Sequence, residues 1–283
     1  MTQKVSMTPE HLENNSGINS GINSGINSEK NSEKNSEKNS EDISGINCRL
    51  RFVENRVHRA CVAAGRDPSS VRILAVSKGH SVGAISEAYR LGVRDFGESY
   101  VQEWLPKAEA LQHIPDIRWH FIGHLQSNKA KFVVGKTHLI HSVDRLSIVE
   151  ALEKNARASL AKINVLIEVE VDAGDINKTG VPVNELKHLV ERVLASRTLR
   201  LKGFMGLGPA NASESRLHQL YRDFVCASKS IFSNLVASGQ NSIAPSEAIE
   251  PFFSLGMSDD LEVAILAGSS MVRVGTAIFG ERV

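Results

Sequence analysis

Val71-Arg72-Ile73-Leu74-Ala75-Val76-Ser77-Lys78 is apolar apart from Arg72 until it closes on Ser77 and Lys78. A continuous apolar run predicts a strand covered on both faces, as the strands of parallel sheets are. Parallel barrels gather their chemistry at the carboxyl ends of such strands, and Lys78 stands at that end. Its ε-amine can form a Schiff base with a carbonyl compound once partial burial favours the neutral amine. Lysines that flank strands also often point to solvent, so position alone leaves two readings open.

Further runs of the same kind extend on both sides of this one. Strands are predicted near residues 71–77, 93–96, 118–122, 138–141, 163–171, 199–204, 251–254 and 271–274. Helical patterns separate them near 82–91, 99–112, 126–134, 145–160, 183–196, 213–237 and 259–267. A helix from about Arg49 to Ala64 precedes them all, ended by Gly65 and Pro68. Ser81, Asp144 and Ser258 are placed to cap helix starts, and Gly92 and Gly268 to stop helices. Strands alternating with helices over residues 48–283 predict a single (β/α)8 barrel of the TIM type; a doubly wound open sheet is the alternative.

Residues 1–47 differ in kind. Tetrapeptides such as Ser20-Gly21-Ile22-Asn23 and Ser28-Glu29-Lys30-Asn31 repeat in tandem. So little apolar surface cannot offset the entropy of ordering, and a disordered tail is expected. The tail carries four Lys against seven Asp or Glu, so in a chain of net charge +1 the rest is only weakly basic. Nucleic acid is therefore not an expected partner. No run approaches the roughly 18 apolar residues of a membrane span, and no apolar leader is present. Cys48, Cys61 and Cys226 are an odd number without CxxC spacing, which predicts buried, reduced thiols and a cytoplasmic protein.

Polar groups follow several of the expected strands. Gly97-Glu98-Ser99, Gly123-His124, Asp172-Ala173-Gly174, Gly256-Met257-Ser258 and Arg273-Val274-Gly275-Thr276 all fall at ends that a barrel gathers into one mouth. Loops after the seventh and eighth strands of such barrels frequently bind phosphate through backbone N–H groups. Ser258 is expected to cap a helix starting at Asp259 and to offer its hydroxyl to a phosphate. Gly275 permits close backbone approach, and Thr276 adds an N–H and a hydroxyl. A Schiff-base lysine beside a phosphate cradle suits a phosphorylated aldehyde, and pyridoxal 5′-phosphate (PLP) is one. Gly135-Lys136-Thr137 ends like a P-loop, but Ala130 stands where that motif needs glycine. His120, His124, His138 and His141 lack metal-ligand placement and are expected to be satisfied core or rim residues, so no metal site is expected. Trp104 and Trp119 are expected to pack.

These segments resemble a known family. Ala75-Val76-Ser77-Lys78, Phe96-Gly97-Glu98-Ser99-Tyr100-Val101-Gln102-Glu103 and Trp119-His120-Phe121-Ile122-Gly123-His124-Leu125-Gln126-Ser127-Asn128-Lys129 are similar to motifs of the pyridoxal phosphate homeostasis proteins. So are Ser254-Leu255-Gly256-Met257-Ser258-Asp259-Asp260 and the stretch from Val272 to Gly280. The resemblance implies a barrel like the N-terminal domain of alanine racemase, with PLP in its mouth. Lys78 then matches the Schiff-base lysine and Arg273 the arginine facing the pyridine nitrogen. Gly275 and Thr276 match the phosphate-binding backbone, and Ser258 a serine that helps hold the phosphate. The family usually carries Asn where this chain has Ser99, whose hydroxyl can replace only part of a contact made by that amide.

The implied function is to hold PLP through Lys78 and take part in homeostasis of vitamin B6 and amino acids, with little or no turnover. An arginine beside the pyridine nitrogen disfavours its protonation and weakens the ring as an electron sink. Racemisation needs a second acid–base group, which in the resembled racemases comes from a further β domain; the sequence ends at Val283 without one. Tyr89, Tyr100 and Tyr221 lie in predicted helices and are poor substitutes. Apo-forms of PLP enzymes are the implied recipients, and a monomer is expected. A PLP-dependent racemase or lyase remains the alternative, as does a metal-free aldolase using the same lysine.

Overall fold

The computed structural model describes residues 26–172, 180–238 and 250–281, with side chains from residue 45 onward. The chain divides into two compact units, Met1–Asp42 and Ile43–Val283. Helix α1 spans Ile26–Ala63 and so starts well before the expected Arg49. Glu and Lys, which recur through the repeats, are good helix formers. Residues 1–25 of the expected tail lie outside the described residues.

The second unit is a parallel barrel closed in the order β1 to β8. Its strands are β1 (Arg72–Val76), β2 (Asp95–Glu98), β3 (Arg118–Phe121), β4 (Leu139–Val143), β5 (Ile163–Glu170), β6 (Leu199–Leu207), β7 (Phe252–Ser254) and β8 (Met271–Val274). The helices between them are α2 (Val82–Arg90), α3 (Val101–Ala110), α4 (Ala130–Val133), α5 (Leu146–Ser159), α6 (Val183–Leu194), α7 (Glu214–Ala237) and α8 (Leu261–Leu266). A four-residue helix, α9 (Thr276–Phe279), follows β8 and was not foreseen. Closure excludes the open doubly wound sheet: β1 pairs with β8, Leu74 opposite Arg273.

Register decides which residues enter the barrel. Gly97 is aligned with His120, His120 with Leu139, and Met205 with Ser254. Side chains alternate along each strand, so Leu74, Asp95, His120, His141, Ser254 and Arg273 face inward together. A bulge in β6 keeps this parity: Val165 pairs with Leu201 but Leu166 with Gly203, leaving Lys202 as the extra, exposed residue. Gly203 takes φ +149°, and a Cβ there would sit 1.9 Å from the Phe252 carbonyl oxygen. Only glycine is compatible with that crossing.

The outward faces of the strands and the inward faces of the helices form one continuous apolar core, which includes Phe96, Trp104, Ile148, Leu152, Val190, Phe204 and Phe253. A smaller apolar group, Leu139, Leu166 and Met205 with Phe252 against it, fills part of the barrel interior. Cys61 is buried as expected, whereas Cys48 and Cys226 are exposed. Cys226 lies on the face of α7 opposite Phe224 and Ser228, so helical phase carries it outward.

Candidate functional site

Lys78 lies in the turn directly after β1 and is half-buried. The turn is held on both sides of it. The Lys107 ammonium, from α3, donates to the Ser77 carbonyl at 2.8 Å, and the Gly79 N–H donates to the Glu103 carboxylate. Lys107 also bonds Glu98 Oε1 at 2.7 Å and Glu103 Oε1 at 2.6 Å, while the Ser77 hydroxyl donates to Glu98 Oε1 at 2.7 Å. Burial pushes the Glu98 carboxyl up from its ordinary value, and the bonds from Lys107 and Ser77 pull it back. Glu103 and Lys107 sit one helical turn apart, so α3 presents both to the turn.

The end of β8 adjoins this turn. A Cβ on Gly275 would lie 3.2 Å from the Val76 carbonyl oxygen, so the two strand ends meet backbone to backbone. The His80 ring, beyond Lys78, stacks on Phe279 of α9 with centroids 4.9 Å apart. Lys78, Gly275 and Thr276 are thereby gathered at one edge of the mouth. Ser258 lies in the loop after β7, which the Arg273 N–H ties to β8 by a bond to the Gly256 carbonyl at 2.9 Å. The expected cap is corrected: α8 starts at Leu261 with Asp260 before it, and Ser258 precedes the cap. Asp260 instead accepts from the Met257 N–H and from the buried Tyr221 hydroxyl, the latter at 2.6 Å. Burial first, and Asp260 beside it, hold that phenol far above its ordinary value.

Helix α1 braces both loops. Arg56 donates to the Ser258 carbonyl at 2.9 Å and pairs twice with Glu262 at 2.7 Å. Arg49 donates to the Ile278 carbonyl at 2.8 Å and the Phe279 carbonyl at 3.3 Å. The expected cap Asp144 instead pairs with Arg145 and, at 3.5 Å, with the rim residue His124. Gly123 beside it has no room for a Cβ, which would meet the Ser99 carbonyl oxygen at 2.0 Å, so the loops after β2 and β3 touch at Ser99. Ala173 and Gly174, expected after the fifth strand, lie outside the described residues.

Arg273 is buried inside the barrel, beneath the mouth. One terminal nitrogen donates to the Ser254 carbonyl and, at 3.0 Å, to the Ser254 hydroxyl; the other donates to the Gly206 carbonyl at 3.0 Å. The Ser254 Oγ lies 3.1 Å from His141 Nδ1, and His141 Nε2 lies 2.9 Å from His120 Nδ1. His120 Nε2 in turn lies 2.9 Å from Asp95 Oδ1, and Arg118 grips both Asp95 oxygens at 2.7 Å. Burial opposes charge on Asp95, yet Arg118 and His120 hold its carboxyl far below the carboxylate range. Burial pushes His120 below its ordinary value against the pull of Asp95. His141 is pushed well below, by burial and then by His120 and Arg273.

The expectation of satisfied histidines holds for His120 and His141, which are buried and bonded, and Trp104 and Trp119 pack as expected. The sequence reading did not find Asp95, Lys107, Arg49 or Arg56. Charged residues inside strand patterns, such as Asp95 and Arg118, were the available signal.

The family model described as alanine racemase, N-terminal domain, matches residues 58–283. The pyridoxal phosphate homeostasis protein of Pseudomonas aeruginosa is 39% identical over 230 residues, covering 81% of this chain and 93% of the relative. The structure of PipY from Synechococcus elongatus PCC7942 with PLP bound superposes with a TM-score of 0.66 at 29% identity, covering 80% of this chain and all of PipY (100%). Alanine racemase from Corynebacterium glutamicum shares the fold with a TM-score of 0.61 at 15% identity, covering 84% of this chain and 62% of the racemase.

Proposed function

The chain belongs to the alanine racemase N-terminal domain family, beside relatives named pyridoxal phosphate homeostasis proteins, and from that premise we propose that it is a PLP-binding homeostasis protein. The observation that carries this reading is the junction of β1 and β8. There the turn bearing Lys78 adjoins Gly275 and Thr276 above the buried Arg273.

The residues present suit the cofactor. When bound, PLP supplies an aldehyde able to condense reversibly with a primary amine, water being released. Lys78 supplies that amine, in a turn whose flanking carbonyl and N–H are fixed by Lys107 and Glu103. The Gly275 and Thr276 backbone N–H groups and the Ser258 and Thr276 hydroxyls supply donors for the phosphate. Arg273 would stand at the ring nitrogen, where its lasting positive charge would keep a proton off and so limit carbanion chemistry. The protein thus stores PLP inside the cell and hands it to apo-forms of PLP enzymes, with little or no turnover of its own.

The purified protein is expected to show a visible cofactor band that borohydride abolishes as it fixes the cofactor to the peptide containing Lys78. Lys78→Ala is expected to lack the band. No band after incubation with PLP would defeat the proposal. A panel of D- and L-amino acids tests the carrier reading; turnover lost in Lys78→Ala would make the protein an enzyme.

A further inference from the structure

The buried groups beneath Arg273 form one chain in which every proton can be assigned. Asp95 is ionised, because Arg118 bonds both of its oxygens, so it only accepts. His120 must then carry its proton on Nε2 to meet Asp95, which leaves Nδ1 an acceptor. His141, facing that Nδ1 with its Nε2, must likewise be protonated on Nε2. Its own Nδ1 is left to accept from the Ser254 hydroxyl. Ser254 therefore turns its hydrogen away from Arg273 and its lone pairs toward it. Each link permits one orientation, and Asp95 sets them all.

We propose that Asp95, His120, His141 and Ser254 are positioning residues that form a polarised relay and hold the Arg273 guanidinium in place from the opposite end of the barrel. Asp95 opens β2 and Arg273 lies near the end of β8, so the relay crosses the interior from base to mouth. Both imidazoles are neutral in this scheme, in line with the downward push that burial exerts on each. The bonds to Ser254 and Gly206 engage three of the five guanidinium donors. They fix the plane in which the rest of the group meets its neighbours. Loosening any link lets that plane turn. The inference rests on the proposed assignment of Arg273 to the ring nitrogen.

Two measurements on the full chain test it. In the cofactor-free protein, nitrogen-15 NMR of the imidazoles is expected to find His120 and His141 as neutral Nε2–H tautomers. Asp95→Asn, which offers a donor where the relay needs an acceptor, is expected to abolish the single tautomer of His120. A wild type with either histidine protonated on Nδ1 would overturn the relay. In the protein loaded with PLP labelled at its ring nitrogen, Asp95→Asn and Ser254→Ala are expected to shift the nitrogen signal in the same direction as Arg273→Gln. Met205→Leu, inside the barrel but outside the relay, is expected to leave it in place. A signal moved by Arg273→Gln but not by Ser254→Ala sinks the relay and spares the assignment of Arg273. A signal indifferent to Arg273→Gln removes that assignment and, with it, the reach of the relay to the cofactor.

Discussion

The two sides of the barrel wall are built on different principles. Outside, between strands and helices, Phe96, Trp104, Leu152 and Phe204 belong to a continuous apolar layer. Inside, a small apolar group of Leu139, Leu166 and Met205 shares the space with a hydrogen-bonded line from Arg118 to Arg273. Neighbouring residues of one strand, such as Phe96 and Asp95, therefore serve different ends. The outer layer carries most of the stability, since apolar burial is large and non-directional. The inner line carries direction, since each bond constrains the next.

Substitutions on the two sides should therefore separate stability from chemistry. The largest stability loss is expected outside: Phe204→Ala, which opens a gap against Phe232 and Phe253, should cost about 3–5 kcal/mol in urea unfolding. The spectrum of bound PLP should hardly change; a large spectral change would blur the distinction. Lys107→Met leaves the buried Glu98 without its cation and is expected to cost about 3 kcal/mol. It should also lower the fraction of protein that borohydride fixes, because the Lys78 turn loses its brace. Inside the barrel, Asp95→Ala is expected to cost about 1–3 kcal/mol, at the lower end because water reaches Arg118, whose side chain is 40% exposed. Its effect on the cofactor spectrum should exceed that of Phe204→Ala. The smallest effect concerns acid. His120 and His141 stay neutral in the fold below the pH, about 6.5, at which they charge when unfolded. Unfolding then takes up protons, so stability should fall as pH drops below about 6.5. His141→Leu should flatten that slope, and an unchanged slope would show that the pair does not control it.

The outer layer could be read from the chain and the inner line could not. Runs such as Ile73-Leu74-Ala75-Val76 announce a strand covered on both faces, and the seven α-helices described between the strands lie where periodicity puts them. The barrel and the candidate residues at its mouth follow from that order. The inner line depends on which strand lies beside which: His120 meets His141 only because Gly97, His120 and Leu139 share one level. Lys107 looks like any lysine of an amphipathic helix until Glu98 is seen beneath it. Helix α9 has only four residues, too few for a period, and the cap lies at Asp260 rather than Ser258 because cap positions shift by a residue or two at such boundaries.

Arg49 and Arg56 have a consequence for the order of events during synthesis. Their acceptors lie at Ile278, Phe279, Ser258 and Glu262, more than 200 residues further along the chain. The pairing of β1 with β8 spans almost the same distance. Helix α1 and β1 leave the ribosome early but find these partners only when residues 258–279 have followed. A nascent chain can build most of its wall while its mouth stays open. A chain that ends before residue 258 is therefore expected to lack an assembled mouth, however much of its wall has formed.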